Sequence, residues 1–314
     1  RQSRHSRIRS HPPLPHHALE VTLRIGVNGL YIAMNAVLFI LSVATVLWAR
    51  KASKDSVHKF IVILLFVNFA LHFLKIFLPS YFSDLPYSLK KISPDNICAV
   101  SVIFFPFMYL WGGKKFKDYM FYLGIISGFG VYLYPSSYDG YLINNAETVV
   151  EIARFYFCHM PLVIAPLAMV ASGLHKLSHR RVMWTPIIFL GVLFIVGLNE
   201  VFLKLSGITN ASWQDVFSNN YRNGALVFGP MSVLDSGLKP FYWMIPPFFK
   251  YTWPGTDSIY YVPVLWMALP TFIIMSSGYF LISLPFCQRE AYLDYHMIKQ
   301  KIRMRFRRLG PAKI

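Results

Sequence analysis

Apolar segments recur at regular intervals along this chain, and polar or basic stretches separate them. Seven such segments approach the roughly 20 residues that a helix needs to cross a bilayer. We predict spans at 22–48, 58–78, 97–111, 117–134, 151–173, 183–206 and 261–285. Gly124 and Gly128, four residues apart in the fourth span, predict a close contact with another helix. The pattern therefore predicts an all-α polytopic membrane protein, a bundle of about seven transmembrane helices.

The composition supports a membrane protein and excludes an ordinary soluble domain. Of the 314 residues, 55% are hydrophobic and only 14% are charged. The net charge of +17 raises the question of nucleic acid, but the basic residues collect at the chain ends and in short loops. Insertion of membrane helices produces that distribution, and we find no nucleic-acid-binding motif. We expect membrane lipids as partners and no nucleic acid.

The composition also divides the chain into regions. Residues 1–20 are rich in Arg, His and Pro, which predicts a flexible basic tail. Residues 21–286 form the predicted transmembrane domain, and residues 287–314 form a basic tail with a predicted helix. Within the domain, 207–260 mixes Gly, Pro and Asn with aromatic residues. That mixture favours an outer loop or re-entrant lid over another span.

The distribution of basic residues predicts the orientation. Loops 49–57, 112–116 and 174–182 contain Lys or Arg, whereas loop 135–150 contains neither. Basic loops stay on the cytoplasmic side, so the basic C-terminus is predicted to be cytoplasmic. With seven spans, the N-terminus is then outside.

This topology places polar residues from distant parts of the chain in the outer half of the membrane. Polar side chains at that depth are costly and usually have a partner or a task. They are His72, Lys75, Asn96, Cys98, Arg154, Cys158, His159, Asn199 and Glu200. The inner halves of the same helices are almost purely apolar. The sequence therefore predicts a polar cavity that opens outward.

The residue types in this layer suggest acyl-transfer chemistry. A Cys beside a neutral His can act as a thiolate nucleophile, and a helix N-terminus favours the thiolate of Cys98. His159 is the candidate base, with Asn199 or Asn96 to orient it or to donate to an oxyanion. The candidate substrate-binding residues are His72, Lys75, Asn96, Arg154 and Glu200. Glu200 is expected to pair with Lys75 or Arg154.

Other functions fit the same residues. The cations can instead extend to lipid phosphates from helix ends, with Glu200 as a structural counter-ion. A solute or ion carrier is a second hypothesis, and a non-catalytic scaffold that binds a protein partner through the basic C-terminal tail is a third. No metal-ligand spacing, phosphate-binding glycine loop or dinucleotide fingerprint is recognisable, so we expect no metal and no cofactor.

The order of motifs resembles the YwaF-type membrane family, whose animal branch is transmembrane protein 164. The matching residues are Pro94 to Cys98, Phe157 to Leu162, Ala165-Pro166, Asn199-Glu200, Asn223-Gly224, Gly229-Pro230 and Lys239 to Trp243. The resemblance implies a phospholipid acyltransferase with Cys98 and His159 in its active site. Asn96 stands where the family has its first His, and Glu200 stands where Tyr is usual.

Overall fold

The computed structural model describes residues 29–82, 85–133, 146–219, 221, 225–230, 239–255 and 258–308. It confirms an all-α membrane bundle. The helices are α1 (Gly29–Lys51), α2 (Lys54–Leu74), α3 (Pro79–Phe82), α4 (Leu85–Ile92), α5 (Ile97–Leu110), α6 (Lys114–Leu133), α7 (Ala146–Ala171), α8 (Trp184–Leu205), α9 (Trp213–Val216), α10 (Ala268–Ser283) and α11 (Gln288–Arg308). The tail predicted at 1–20 and most of loop 135–150 lie outside the described residues.

A helix is present at each of the seven predicted spans. Five helical segments of the described chain are long and apolar enough to cross a membrane, and a sixth arises if the bent pair α4 and α5 forms one span. The two helices of this pair meet at 55°. Helix α6 remains outside this count because Lys114, Lys117 and Asp118 in its first turns reduce its apolar length. The large exposed apolar side chains on α1 and α2 are suited to contact with lipid tails.

Helices α6 and α7 pack closely through the two glycines. A Cβ atom at Gly124 would stand 2.5 Å from the Leu162 carbonyl oxygen, and one at Gly128 would stand 3.0 Å from Val163 Cγ2. Only a residue without a side chain permits this approach. The close contact expected from the spacing of these glycines is therefore confirmed.

The described parts of 207–260 contain short helices and the first strand of a hairpin. Strands β1 (Lys250–Thr252) and β2 (Ile259–Tyr261) pair in antiparallel register, which the sequence pattern did not indicate. Val227 and Phe228 are buried in the same core as α8. The Val227 carbonyl accepts a hydrogen bond from the Val264 amide at 2.8 Å. The part of this segment around Val227 and Phe228 is therefore packed into the bundle.

Polar side chains collect at both ends of the bundle. At one end, Asn68 Nδ2 of α2 donates to the Cys158 carbonyl of α7 at 3.0 Å, close to the start of α5. We name this the Cys98 end. The other end comprises the start of α6, the connection between α7 and α8, and the junction between α10 and α11 at Cys287. We name it the Cys287 end.

Candidate functional site

Cys98 is the second residue of α5, and Asn96 caps that helix. Asn96 Oδ1 accepts a hydrogen bond from the Ala99 amide at 2.9 Å, and its Nδ2 donates to Asp95 Oδ1 at 2.7 Å. Asparagine is among the preferred residues for this position because its side chain satisfies a free amide of the first turn. The structure therefore gives Asn96 a local role, and it places the Cys98 thiol at the positive end of the helix dipole.

Two thiols from distant parts of the chain meet at the Cys98 end. The Cys98 thiol interacts electrostatically with Asp95 and Cys158. The Cys158 thiol in turn interacts with the charges of Arg154 and Lys75. The cations therefore act most directly on Cys158, and the carboxylate acts on Cys98. The predicted convergence of α2, α5 and α7 residues is present.

The hydrogen bond of His159 defines its tautomer. His159 Nδ1 lies 2.7 Å from the Phe155 carbonyl oxygen, one turn earlier in α7. Because a carbonyl can only accept, Nδ1 carries the hydrogen and Nε2 of the neutral ring holds a lone pair. Nε2 is thus the nitrogen that can take a proton. Within the described chain, no hydrogen bond joins His159 to Cys98 or to Asn199.

His72 and Lys75 form a second unit at this end. His72 Nε2 donates to the Ile92 carbonyl at 3.0 Å, and the Lys75 ammonium lies 3.5 Å from His72 Nδ1. Lys75 is only 9% exposed. Among the described residues, no carboxylate oxygen lies within 4.0 Å of Lys75 Nζ. A buried cation with no close carboxylate is suited to hold an anionic group.

Arg154 pairs with Glu151, one turn earlier in α7. The expected ion pair between Arg154 and Glu200 is not present among the described residues. Arg154 Nη2 and Nε lie 2.7 and 2.9 Å from Glu151 Oε2. The Tyr81 hydroxyl donates to the same oxygen at 2.9 Å. Burial raises the pKa of Tyr81, which keeps this donor protonated. The spacing of Glu151 and Arg154 by three residues is the local signal for this pair in the sequence.

Asn199 and Glu200 lie on α8. Asn199 Nδ2 donates to Ser93 Oγ at 3.0 Å, which ties α8 to the turn before α5. The expected hydrogen bond from Asn199 to His159 is absent from the described structure, because the amide of Asn199 is directed to that turn. Glu200 is only 2% exposed and lies beside Asn199 in the sequence.

A buried ion cluster at the Cys287 end was missed in the sequence. Asp118 of α6 is 0% exposed, and its Oδ1 lies 2.8 Å from His175 Nε2. Arg181 Nε donates to Asp118 Oδ2 at 2.6 Å. His175 lies 57 positions after Asp118 in the sequence, and Arg181 lies 63 positions after it. All three residues lie in or next to basic loops. Their charges resemble ordinary loop charges until the fold brings them together.

The helices and the polar cluster at their ends define an integral, multi-pass membrane protein. Residues 25–254 match the model of the TMEM164 family, which extends over most of the chain. The chain therefore belongs to the TMEM164 family, and the resemblance to transmembrane protein 164 is confirmed at the level of the family. No curated protein and no solved structure matches the chain.

Proposed function

We propose that this chain is a membrane acyltransferase that moves an acyl chain between lipids through Cys98. The observation that supports the proposal is the interaction of Cys98 on α5 with Cys158 on α7, the residue directly before His159, close to the charges of Arg154 and Lys75. We retain the predicted orientation, in which the basic C-terminus is cytoplasmic and the Cys98 end faces the opposite side.

The first step forms a thioester. His159 Nε2 takes the proton from Cys98 Sγ, and the thiolate attacks the carbonyl carbon of a phospholipid ester. The sulfur–carbon bond forms as the ester carbon–oxygen bond breaks. The lysophospholipid oxygen then leaves with the proton held by His159. Because these two residues share no hydrogen bond in this geometry, the lipid or a water molecule must complete the path between them.

The second step returns the enzyme to its starting state. A hydroxyl of an acceptor lipid gives its proton to His159 and attacks the thioester carbonyl. A new ester forms, and Cys98 leaves as the thiol with that proton. The Ile97 and Cys98 amides of the first turn of α5, which precede the amide that Asn96 caps, are the candidate donors for the oxyanion of both steps. Lys75 is the candidate for the lipid phosphate, since it is a buried cation that has no close carboxylate among the described residues.

The test is the intact mass of the full chain after incubation with phospholipid vesicles. We expect an adduct of acyl mass on the wild type, and hydroxylamine should remove it because hydroxylamine cleaves thioesters. Cys98→Ser should carry no such labile adduct. Cys158→Ser is the matched control, since it removes the neighbouring thiol and keeps the proposed nucleophile.

Two results would contradict the mechanism. A labile adduct that persists in Cys98→Ser and disappears in Cys158→Ser would move the nucleophile to Cys158, the thiol that interacts with the charges of Arg154 and Lys75. No adduct on any variant with several phospholipid donors would remove the enzyme proposal. The same polar cluster would then be examined as a solute-binding site.

A further inference from the structure

At the Cys287 end, three groups that commonly bind metals converge outside the proposed reaction site. Cys287 Sγ lies 3.6 Å from His179 Nδ1, and the same nitrogen lies 3.4 Å from Glu290 Oε2. The three donor atoms all lie within 4.8 Å of one another. In tetrahedral zinc sites, the bond lengths to sulfur, nitrogen and oxygen place neighbouring ligand atoms roughly 3.4–3.6 Å apart. Two of the distances match this spacing.

The local structure explains why these groups meet. Cys287 follows the turn Leu284–Phe286, and Glu290 and Asp294 come three and seven residues later on α11. Residues at this spacing lie on one face of a helix. His179 comes from the connection between α7 and α8 and lies against that face.

The hydrogen bonds around the cluster orient its donors. His179 Nε2 lies 2.9 Å from Asp294 Oδ2. A carboxylate at Nε2 turns the ring and leaves Nδ1 as the nitrogen that can bind a metal, an arrangement common behind histidine ligands. Ser178 Oγ donates to Glu290 Oε2 at 2.7 Å, which holds that carboxylate beside His179. Cys287 is only 7% exposed.

The charges also fit a divalent cation. A Cys287 thiolate with Glu290 and Asp294 gives three negative charges, and Arg180 supplies one positive charge through its contacts with both carboxylates. Two negative charges are then left for the ion. In the alternative without metal, the His179 ring contacts the two carboxylates and Cys287 Sγ directly. The two alternatives predict different metal contents.

We propose that Cys287, His179 and Glu290 bind one zinc ion, with Asp294 positioning His179. Zinc prefers this mixture of thiolate, imidazole and carboxylate ligands, and it would take the place of the Cys287 proton, which is released to water. A cleft of about 890 Å³ borders Cys287 and Glu290 and gives the ion access. The ion would fasten α11 to the connection between α7 and α8.

The test measures zinc bound to the full chain in detergent micelles, purified without a polyhistidine tag, loaded with zinc chloride and desalted. We expect about one zinc ion per chain in the wild type. Cys98→Ser and Cys158→Ser should keep this zinc, whereas Cys287→Ser and His179→Gln should lose most of it. Asp294→Asn keeps all three ligands and should weaken zinc binding roughly 10–100-fold.

Cobalt binding provides a second measurement, which would not change if Cys287 had only a structural role. Cobalt bound to a thiolate gives a near-ultraviolet charge-transfer band, which we expect in the wild type and not in Cys287→Ser. Size-exclusion profiles would show that each variant remains folded. A wild-type chain that retains no zinc after loading would overturn the proposal. Equal zinc in wild type and Cys287→Ser would also overturn it.

Discussion

The two ends of the bundle differ in how their buried charges are paired. At the Cys287 end, the fully buried carboxylate of Asp118 contacts the His175 ring and the Arg181 guanidinium, so the buried charge of Asp118 has an opposite partner. At the Cys98 end, Lys75 is buried with no carboxylate oxygen close to it in the described part of the chain, and His159 donates to a backbone carbonyl. Burial of a charge without a partner is costly and is usually kept for a function. The comparison assigns stability mainly to the Cys287 end and chemistry to the Cys98 end.

The largest effect is expected from Asp118→Asn. This change leaves Arg181 and His175 without their shared carboxylate, and breaking a buried pair costs about 3–5 kcal/mol. Thermal unfolding in detergent should therefore shift strongly to lower temperature. Asp55→Asn is the matched control, because Asp55 pairs with Lys59 on the exposed surface and should hardly change the transition. Equal transitions for the two variants would break the comparison at the Cys287 end.

A smaller loss is expected from Glu151→Gln at the Cys98 end. Arg154 would keep a neutral acceptor in place of a carboxylate, and we expect a loss of about 1–3 kcal/mol. The measurement is again thermal unfolding, with Tyr81→Phe as a variant that removes only the neutral donor to Glu151. A loss in Glu151→Gln as large as that of Asp118→Asn would show that the Cys98 end also depends on ion pairing for stability.

Asn199→Ala should cost about 1 kcal/mol, because one buried hydrogen bond to Ser93 is lost. The same bond fixes the turn before α5, so its loss should expose Cys98. We therefore expect faster alkylation of Cys98 by a thiol reagent, followed by peptide mass spectrometry. The alkylation rate of Cys287 in the same sample is the internal control and should stay constant. A parallel rise at both thiols would indicate general loosening of the bundle.

The smallest effect on stability is expected from Lys75→Met. Replacement of a buried charge by an apolar side chain of similar length is often neutral or stabilising. The unfolding temperature should stay the same or rise, while acyl transfer falls roughly tenfold or more because the phosphate loses a charged donor. A marked loss of stability with unchanged transfer would mean that Lys75 has a structural role.

The sequence predicted the helices because apolar length is a local property. The polar layer in the outer half of the membrane stays a prediction, although a hydrogen bond from Asn68 to the Cys158 carbonyl joins α2 and α7 at the Cys98 end. The partners within the polar layer were harder to predict. Glu151 was visible one turn from Arg154, and Asn96 stood at a typical capping position before α5. In both cases a neighbour in the sequence, not a residue of a distant segment, explains the side chain.

The Cys287 end could not be derived from the sequence by the same reasoning. Cys287 and His179 lie 108 residues apart, and Asp118 and Arg181 lie 63 apart. No spacing rule connects such pairs, and the sequence around these residues is typical of basic loops. The expectation of no metal depended on recognisable ligand spacing, so it could not anticipate a cluster that only the packing of α11 assembles.

The most direct test of the central claim is acyl transfer in nanodiscs that contain a labelled phospholipid donor and a lysophospholipid acceptor. The account predicts labelled product with wild type and Cys158→Ser, and a decrease of at least about a thousandfold with Cys98→Ser. His159→Gln should fall in the same direction while its unfolding temperature stays close to that of the wild type. Full transfer by Cys98→Ser would contradict the claim that the Cys98 end carries the chemistry through this thiol.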